Sequence, residues 1–140
     1  MRHPLHPALV HFPVACWSLT TAADLASLHF GEPAWHLAGA LLVIGLVTAV
    51  PALLAGLYEL THVADESPAW RSVHLHMGAM SAALTLYAIS LFARLDHTTL
   101  LAPNTIALAC SIAGFLCLTA GGWLGGKLVY QYRLGGASSS

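Results

Sequence analysis

The stretch WHLAGALLVIGLVTAVPALLAGLYEL, residues 35–60, contains a single formally charged side chain, that of Glu59. A helix crosses the hydrocarbon core of a bilayer with about 20 apolar residues, so this stretch is long enough to span a membrane. Pro51 lies inside it and predicts a kink, because proline removes a helical hydrogen bond. The stretch therefore predicts a transmembrane helix.

Three more apolar stretches of similar length accompany this one. They lie at about residues 8–30, 73–95 and 105–130. Short segments rich in glycine, proline or charged residues separate the four stretches, and such segments are typical of turns. Four long apolar stretches with short connections predict four transmembrane helices that alternate in direction.

Composition supports the same fold class. The chain has 140 residues, of which 57% are hydrophobic and only 8% are charged, and a soluble domain carries about 25% charged residues. We expect an all-α membrane protein, a four-transmembrane-helix up-down bundle that forms a single domain over residues 1–134. Residues 135–140 are expected to be a disordered tail or a cloning scar. With five Lys plus Arg, the chain has no basic patch for nucleic acid.

The positive charges are unevenly distributed between the two ends of such a bundle. An up-down arrangement brings the start of the first and third spans together with the end of the second and fourth. That end carries Arg2, Arg71, Lys127 and Arg133, and the other end carries Arg94. Because cytoplasmic loops carry an excess of Lys and Arg, we expect both termini in the cytoplasm.

The nine histidines divide between the same two ends. The cytoplasmic end carries His3, His6, His11, His62, His74 and His76. The other end carries His29, His36 and His97, at helix ends where polar side chains are ordinary. The second group is interpreted as solvated, and a second site there is left open. Ionisable groups at membrane depth often mark function, so the first group predicts a site.

Two positions in that group lie at similar depth on different helices. His11 opens the first span, and His76 lies roughly 7 Å beyond Arg71 at ~1.5 Å per residue. Two imidazoles at one level in an apolar bundle suit the axial ligation of a b-type haem, and they also suit a metal ion. His74 points about 200° away from His76 on a helix, so only one of them faces inward, and periodicity leaves that choice open.

Zinc or copper binding is the main alternative. Zinc takes three or four ligands, and His3, His6 and His11 with a histidine of the third span, or with Glu59 or His62, would supply them. Prolines interleave the first three histidines, which prevents one regular helical face. A third alternative is a structural subunit of a redox complex whose histidines bind nothing. The sequence contains no evident nucleophile or phosphate-binding loop that would predict a stand-alone enzyme.

The end of the fourth span contains four glycines, Gly121, Gly122, Gly125 and Gly126. Each costs about 1 kcal/mol in a helix relative to Ala, unless a neighbouring helix or a flat cofactor needs a close backbone approach. In the haem hypothesis these glycines admit the porphyrin, and Phe12 and Trp123 shield its face. Glu59 is then expected to orient a ligating imidazole or to pair with Arg71.

Several motifs resemble one known family. The run HPLHPALVHFP at residues 3–13 is similar to the opening of the bacterial predicted membrane proteins catalogued as domain of unknown function 2231. Further landmarks agree with that resemblance. They are Asp24, the Gly56-Leu57-x-Glu59 turn, the His76-Met77 pair and the closing GGWLGGKLVY at residues 121–130.

The resemblance implies a four-helix membrane unit in the bacterial inner membrane, and it selects His76 over His74. Members are commonly found beside redox modules such as cytochromes c and Rieske domains, which favours electron transfer. A haem b protein with a cytochrome c, a Rieske protein or a quinone as redox partner is therefore expected. Whether the chain also forms a homo-oligomer is left open.

Overall fold

The computed structural model describes residues 5–63 and 67–132. Four helices make up most of these residues. They are α1 (Leu5–Phe30), α2 (Glu32–Leu60), α3 (Trp70–Phe92) and α4 (Thr105–Tyr130). A two-stranded antiparallel hairpin, β1 (Leu95–Asp96) with β2 (Thr99–Leu100), joins α3 to α4. The predicted all-helical fold is confirmed, and the predicted tail at residues 135–140 lies outside the described residues.

Three helices among the described residues are long and apolar enough to cross a membrane: α2, α3 and α4. The predicted first span, now α1, is not among them, although its 26 residues suffice in length. Its composition explains the difference, since it carries His6, His11 and Asp24 in addition to several small polar residues. Part of this polarity lies on the side that faces the other helices, where Thr20 and Asp24 are buried.

The helix bounds differ from the expected ones by a few residues. Helix α1 begins at Leu5 rather than near residue 8, because Pro7 falls in its first turn, where a missing N–H costs little. A single residue, Gly31 with φ of 66°, separates α1 from α2, since Pro33 is accommodated in the first turn of α2. The connection is therefore shorter than the expected gap between residues 30 and 35. Helix α2 continues through Pro51.

The β-hairpin is not expected from the sequence pattern. The third span was expected to continue to Leu95, but α3 ends at Phe92 and Leu95 pairs with Leu100 instead. His97 takes a positive φ of 56° at the tip. Asn104 then caps α4, since its side chain accepts a hydrogen bond from the Ala107 N–H at 2.9 Å. Two-residue strands are too short to produce a detectable alternation.

The four helices form two helical hairpins. Helix α1 packs along α2, and α3 packs along α4, while α1 meets α4 and α2 meets α3 less extensively. Large side chains fill the centre between the hairpins, where the Trp17 and Tyr87 rings stack with their centroids 5.0 Å apart. A side chain at Gly45 would collide with Trp17, and one at Gly114 would press on Tyr87. Small residues thus allow close packing, as expected for helices in lipid.

The outer surface of the bundle is apolar. Large exposed side chains include Phe30, Val47, Leu54, Phe92 and Leu116. Buried polar side chains, by contrast, lie between the helices, and they include Thr20, Thr21, Ser90 and Ser111. This distribution is the one expected where lipid replaces water as the solvent, because polar groups in hydrocarbon must find partners inside the protein.

Candidate functional site

His6 lies in the first turn of α1, where backbone N–H groups have no partner within the helix. Its own N–H donates to Glu59 Oε1 at 3.1 Å, a carboxylate near the end of α2. A negative charge at a helix N-terminus also interacts favourably with the helix dipole. Glu59 thus ties the start of α1 to α2 and places the His6 backbone.

The imidazole of His6 is oriented by a second contact with α2. Its Nδ1 lies 2.7 Å from the backbone oxygen of Ala52. A carbonyl oxygen can only accept, so Nδ1 carries the proton and Nε2 keeps a free lone pair in the neutral ring. Gly56 lies one turn further along α2, and a Cβ there would stand 2.9 Å from Nδ1. The ring therefore occupies the space that a side chain at this position would need.

His76 on α3 repeats this arrangement against α4. Its Nδ1 donates to the backbone oxygen of Gly121 at 2.8 Å, which leaves Nε2 as the lone-pair nitrogen. A Cβ on Gly125, one turn further along α4, would stand 3.1 Å from the imidazole. Each hairpin thus holds one imidazole whose Nδ1 is bound to a backbone oxygen. In each hairpin a glycine one turn further along the helix lies close to that imidazole.

The two imidazoles lie close to each other, one from each hairpin. Their ring centroids are 6.4 Å apart, and the rings are inclined at 85°. Two imidazoles on opposite sides of one metal ion have centroids roughly 6 Å apart, given metal–nitrogen bonds of ~2.0–2.1 Å. Hydrogen bonding of the second ring nitrogen to a carbonyl is the usual support of a metal-bound histidine. The pair thus has both the separation and the tautomers of metal ligands.

His11, the expected partner of His76, lies elsewhere. It is exposed, and it stands five residues beyond His6, about 140° further round the helix. Phe12, expected to shield a cofactor, is 65% exposed. The structure therefore brings His6, not His11, to His76. A usable signal was present in the sequence, because His6 shares a helical face with Pro13, Trp17 and Thr20, all of which are buried.

The other candidate ligands are not gathered with this pair. His74 is exposed and its Nδ1 bonds to the Trp70 oxygen of its own helix, and His62 is exposed at the end of α2. His3 lies outside the described residues. Within residues 5–63 and 67–132, no three His, Cys, Asp or Glu side chains lie close enough together to hold a metal ion. The structure thus brings together two histidine side chains and no larger cluster of potential ligands in that part of the chain.

The four glycines of α4 divide between two faces. Gly121 and Gly125 face His76 and the neighbouring Met80, whereas a Cβ on Gly122 or Gly126 would meet open space. Trp123 is 69% exposed, with Lys127 Nζ 5.9 Å from its ring centroid. Only one glycine pair therefore borders the imidazole, and Trp123 lies on the outer surface rather than over the site.

The remaining predicted residues of this group have other surroundings. Arg71 is exposed, and none of the ion pairs among the described residues joins it to Glu59. At the opposite end, His29 is exposed beside Phe30, His36 pairs with Glu32, and His97 pairs with Asp96. These three histidines are separate surface groups, consistent with their interpretation as solvated.

The opposite end of the bundle contains a buried ion pair that the sequence analysis missed. Arg94 Nη1 and Nη2 donate to the two carboxylate oxygens of Asp24 at 2.7 and 2.9 Å. Arg94 also donates to the backbone and side-chain oxygens of Ser90, and both charged side chains are about 1% exposed. The signal that could have found it is Asp24 itself, since an acid within an apolar helix needs a partner.

A polar layer separates this ion pair from the histidines. The Tyr87 hydroxyl donates to the Trp17 backbone oxygen at 3.0 Å and lies 2.8 Å from Thr21 Oγ1. The Thr21 hydroxyl also reaches Ser111. These groups satisfy one another's hydrogen bonds, so the layer joins α1, α3 and α4 at the centre of the bundle.

The match to known proteins concerns the family alone. A family model described as predicted membrane protein, DUF2231, matches residues 2–138. The chain belongs to this family. Neither the curated proteins nor the solved structures contain a match to this DUF2231 chain. The family match confirms the suspected family.

Proposed function

We propose that this DUF2231 chain is a membrane-embedded electron-transfer protein that binds one haem b, with His6 and His76 as axial ligands. One observation carries the proposal. The ring centroids of the two imidazoles, which come from different hairpins, lie 6.4 Å apart, and each ring has its Nδ1 bound to a backbone oxygen. Both Nε2 atoms are thereby available as ligands.

The donor set favours haem over zinc. Two imidazoles complete the coordination of haem iron, whose other four ligands come from the porphyrin. Zinc needs three or four protein ligands at a closed site, and the described residues offer no group of three at this position. The two available nitrogens therefore fit haem iron without a further side chain.

Bound haem would supply a one-electron iron couple, and the protein residues would hold and tune it. The backbone oxygens of Ala52 and Gly121 fix the imidazole tautomers and raise the basicity of Nε2. Glu59 holds the first turn of α1 and with it the His6 ligand. Gly125 keeps α4 close to His76. Both histidines are half-buried, which limits their contact with water.

The proposal includes four transmembrane helices with both termini in the cytoplasm of a bacterial inner membrane. Helix α1 is long enough to span and packs along α2, which meets the hydropathy of a membrane span. Arg94 is neutralised by Asp24 and no longer counts as a free charge on the far side. Arg71 and Lys127 stay on the near side, so the charge asymmetry supports this orientation. A membrane or soluble redox protein, or a quinone, would be the electron partner.

Absorption spectroscopy tests the proposal. Protein purified after expression with full haem supply is expected to show a Soret band and sharp α and β bands on reduction. His6→Ala and His76→Ala should each remove or strongly change these bands. His11→Ala and His74→Ala are matched controls on the same helices and should leave them unchanged. Colourless wild-type protein, or bands that depend on His11 instead of His6, would overturn the assignment.

A copper site is the second candidate, because a thioether lies at the same end. Met80 packs against Gly121, the residue whose oxygen holds His76. Imidazole with thioether is a donor set that suits copper(I). Elemental analysis of the purified protein distinguishes the two candidates. Iron at about one per chain with porphyrin absorbance supports haem, and copper without it supports the second candidate.

A further inference from the structure

Three contacts between α1 and the segment made of α3 and the turn that follows it share one sequence separation. His6 faces His76, Trp17 stacks on Tyr87, and Asp24 pairs with Arg94, and in each case the two residues are 70 positions apart. The three contacts lie at three levels of the bundle, one at each end and one at the centre. Each contact joins the first helical hairpin to the second, and Arg94 lies in the turn directly after α3.

Such contacts have a simple geometric meaning. In a two-fold symmetric assembly, a residue can meet its own counterpart only on the symmetry axis. A constant difference between contacting positions means that the two helices are parallel, so the axis runs along them. The steps from residue 6 to 17 and from 17 to 24 are 11 and 7 residues, close to whole turns, so the three residues share one face of α1.

Helices α2 and α4 also correspond. Each position of α2 is equivalent to the position of α4 that lies 69 residues later in the sequence. The buried residues of α2 are Ala38, Gly39, Leu42, Gly45, Ala49 and Ala52, and those of α4 are Ala107, Ser111, Gly114, Leu118 and Gly121. Apart from Gly39, each buried position of α2 has a buried counterpart in α4 at that separation. The two hairpins therefore bury equivalent faces.

The equivalent positions also perform equivalent roles. The backbone oxygens of Ala52 and Gly121 hold the two imidazoles, with Gly56 and Gly125 one turn further on. Gly45 is close to the Trp17 ring, and Gly114 is close to the Tyr87 ring. The Thr20 hydroxyl reaches the Ala38 oxygen at 3.5 Å, and the Ser90 hydroxyl reaches the Ala107 oxygen at 2.8 Å. Contacts of three kinds thus repeat between the hairpins.

Sequence identity between the hairpins is sparse, which explains why the repeat is invisible in the sequence. The identical pairs include His6 with His76, Gly45 with Gly114 and Gly56 with Gly125. These positions either carry the paired imidazoles or leave no room for a side chain. Asp24 and Arg94 differ for a physical reason. Two identical charges would repel one another on the axis, whereas opposite charges pair there.

We propose that the chain is an internal duplication of one two-helix hairpin, and that the group bound at the histidines lies on the pseudo-two-fold axis between two equivalent half-sites. The identity of that group rests on the proposed function. Each half-site consists of one histidine, one backbone oxygen that binds its Nδ1, and one glycine a turn beyond. Haem suits such a site, because its porphyrin has an approximate two-fold axis between the propionates. The two imidazoles are then equivalent ligands.

The first test examines the half-sites without the cofactor. Protein with ¹⁵N-labelled histidine is prepared from cells deprived of haem, and the His6 and His76 signals are assigned by loss in His6→Gln and His76→Gln. Both rings are expected as the Nδ1–H tautomer. One ring as Nδ1–H and the other as Nε2–H would overturn the equivalence, whatever cofactor binds. If both rings of the haem-free protein are Nδ1–H, but the wild-type protein stays colourless when it is expressed with full haem supply, haem is overturned and the duplication is retained.

The second test uses the glycines that adjoin the rings. Gly56→Ala and Gly125→Ala are expected to displace their imidazoles and to weaken haem retention by similar factors, on the order of ten-fold, as for other outer-shell partners. Gly78→Ala and Gly126→Ala are matched controls, since a Cβ at either position meets nothing within 4 Å. A loss confined to one of the two half-sites would contradict the proposal. Equal losses with silent controls would support it.

Discussion

At the scale of single residues, the position of the hydrogen-bond partner distinguishes one polar side chain from another. His74 and His76 both bond to a backbone oxygen through Nδ1, but His74 uses its own helix and His76 uses α4. Only the second contact fixes a ring between helices. The same reasoning separates Arg94 from Arg71. Arg94 is buried and paired with Asp24, whereas Arg71 is exposed at the opposite end.

The Asp24–Arg94 pair is expected to stabilise the bundle strongly against single substitutions. Asp24→Ala leaves a buried guanidinium unpaired, which costs about 3–5 kcal/mol in such cases. Thermal unfolding in detergent micelles measures the loss. Glu32→Ala, which breaks the exposed pair with His36, is the control and should cost less than about 1 kcal/mol.

The internal two-fold symmetry adds a sharper expectation for the same pair. Because the two positions are equivalent, the exchange of Asp24→Arg together with Arg94→Asp should restore most of the stability that either single change removes. An exchanged protein no more stable than its single variants would show that the two positions are not interchangeable.

At the scale of elements, the sequence predicts well where the helices lie, but it predicts poorly which face of each helix is buried. Long apolar runs locate α2 and α4 within a few residues, because length and composition suffice in lipid. The choice of His11 over His6 depended on where α1 begins. The expected start near residue 8 left His6 outside the helix, whereas α1 begins at Leu5 and includes His6 on its inward face. The β-hairpin was missed because its strands have two residues each.

Glu59 is expected to hold the start of α1 in place. Glu59→Ala removes the acceptor of the His6 N–H, so the first turn should fray and exchange its amide hydrogens faster. Hydrogen–deuterium exchange of the peptide that contains His6 measures this effect. Glu59→Gln keeps an acceptor oxygen and should show a smaller increase. Unchanged exchange in Glu59→Ala would mean that other contacts hold this turn.

At the scale of the whole molecule, the pairing of residues 70 apart relates two features that composition treats separately. The histidines at one end and the ion pair at the other lie on one line through the bundle, with Trp17 and Tyr87 between them. None of this is visible from hydropathy, because long-range pairing depends on which faces meet. The equivalence of α1 and α3 also bears on topology. If α3 crosses the membrane, then its counterpart α1 crosses it in the same direction.

Membrane topology is therefore the decisive prediction at this scale. With four spans, an N-terminal tag and a cysteine at Tyr132 should lie on the same, cytoplasmic side, and cysteines at Glu32 and Thr98 on the other. A membrane-impermeant thiol reagent applied to intact cells checks the cysteines, in a background that lacks Cys16, Cys110 and Cys117. Protease protection of the tag checks the N-terminus.

With only the three most apolar helices crossing, the tag and the cysteine at position 132 would lie on opposite sides, since α2, α3 and α4 alone make an odd number of crossings. That result would contradict the equivalence of α1 with α3, because two helices related by an axis along the membrane normal must both cross. It would also remove the bilayer from one side of the His6–His76 pair. The tag experiment thus tests the membrane setting of the site independently of any cofactor.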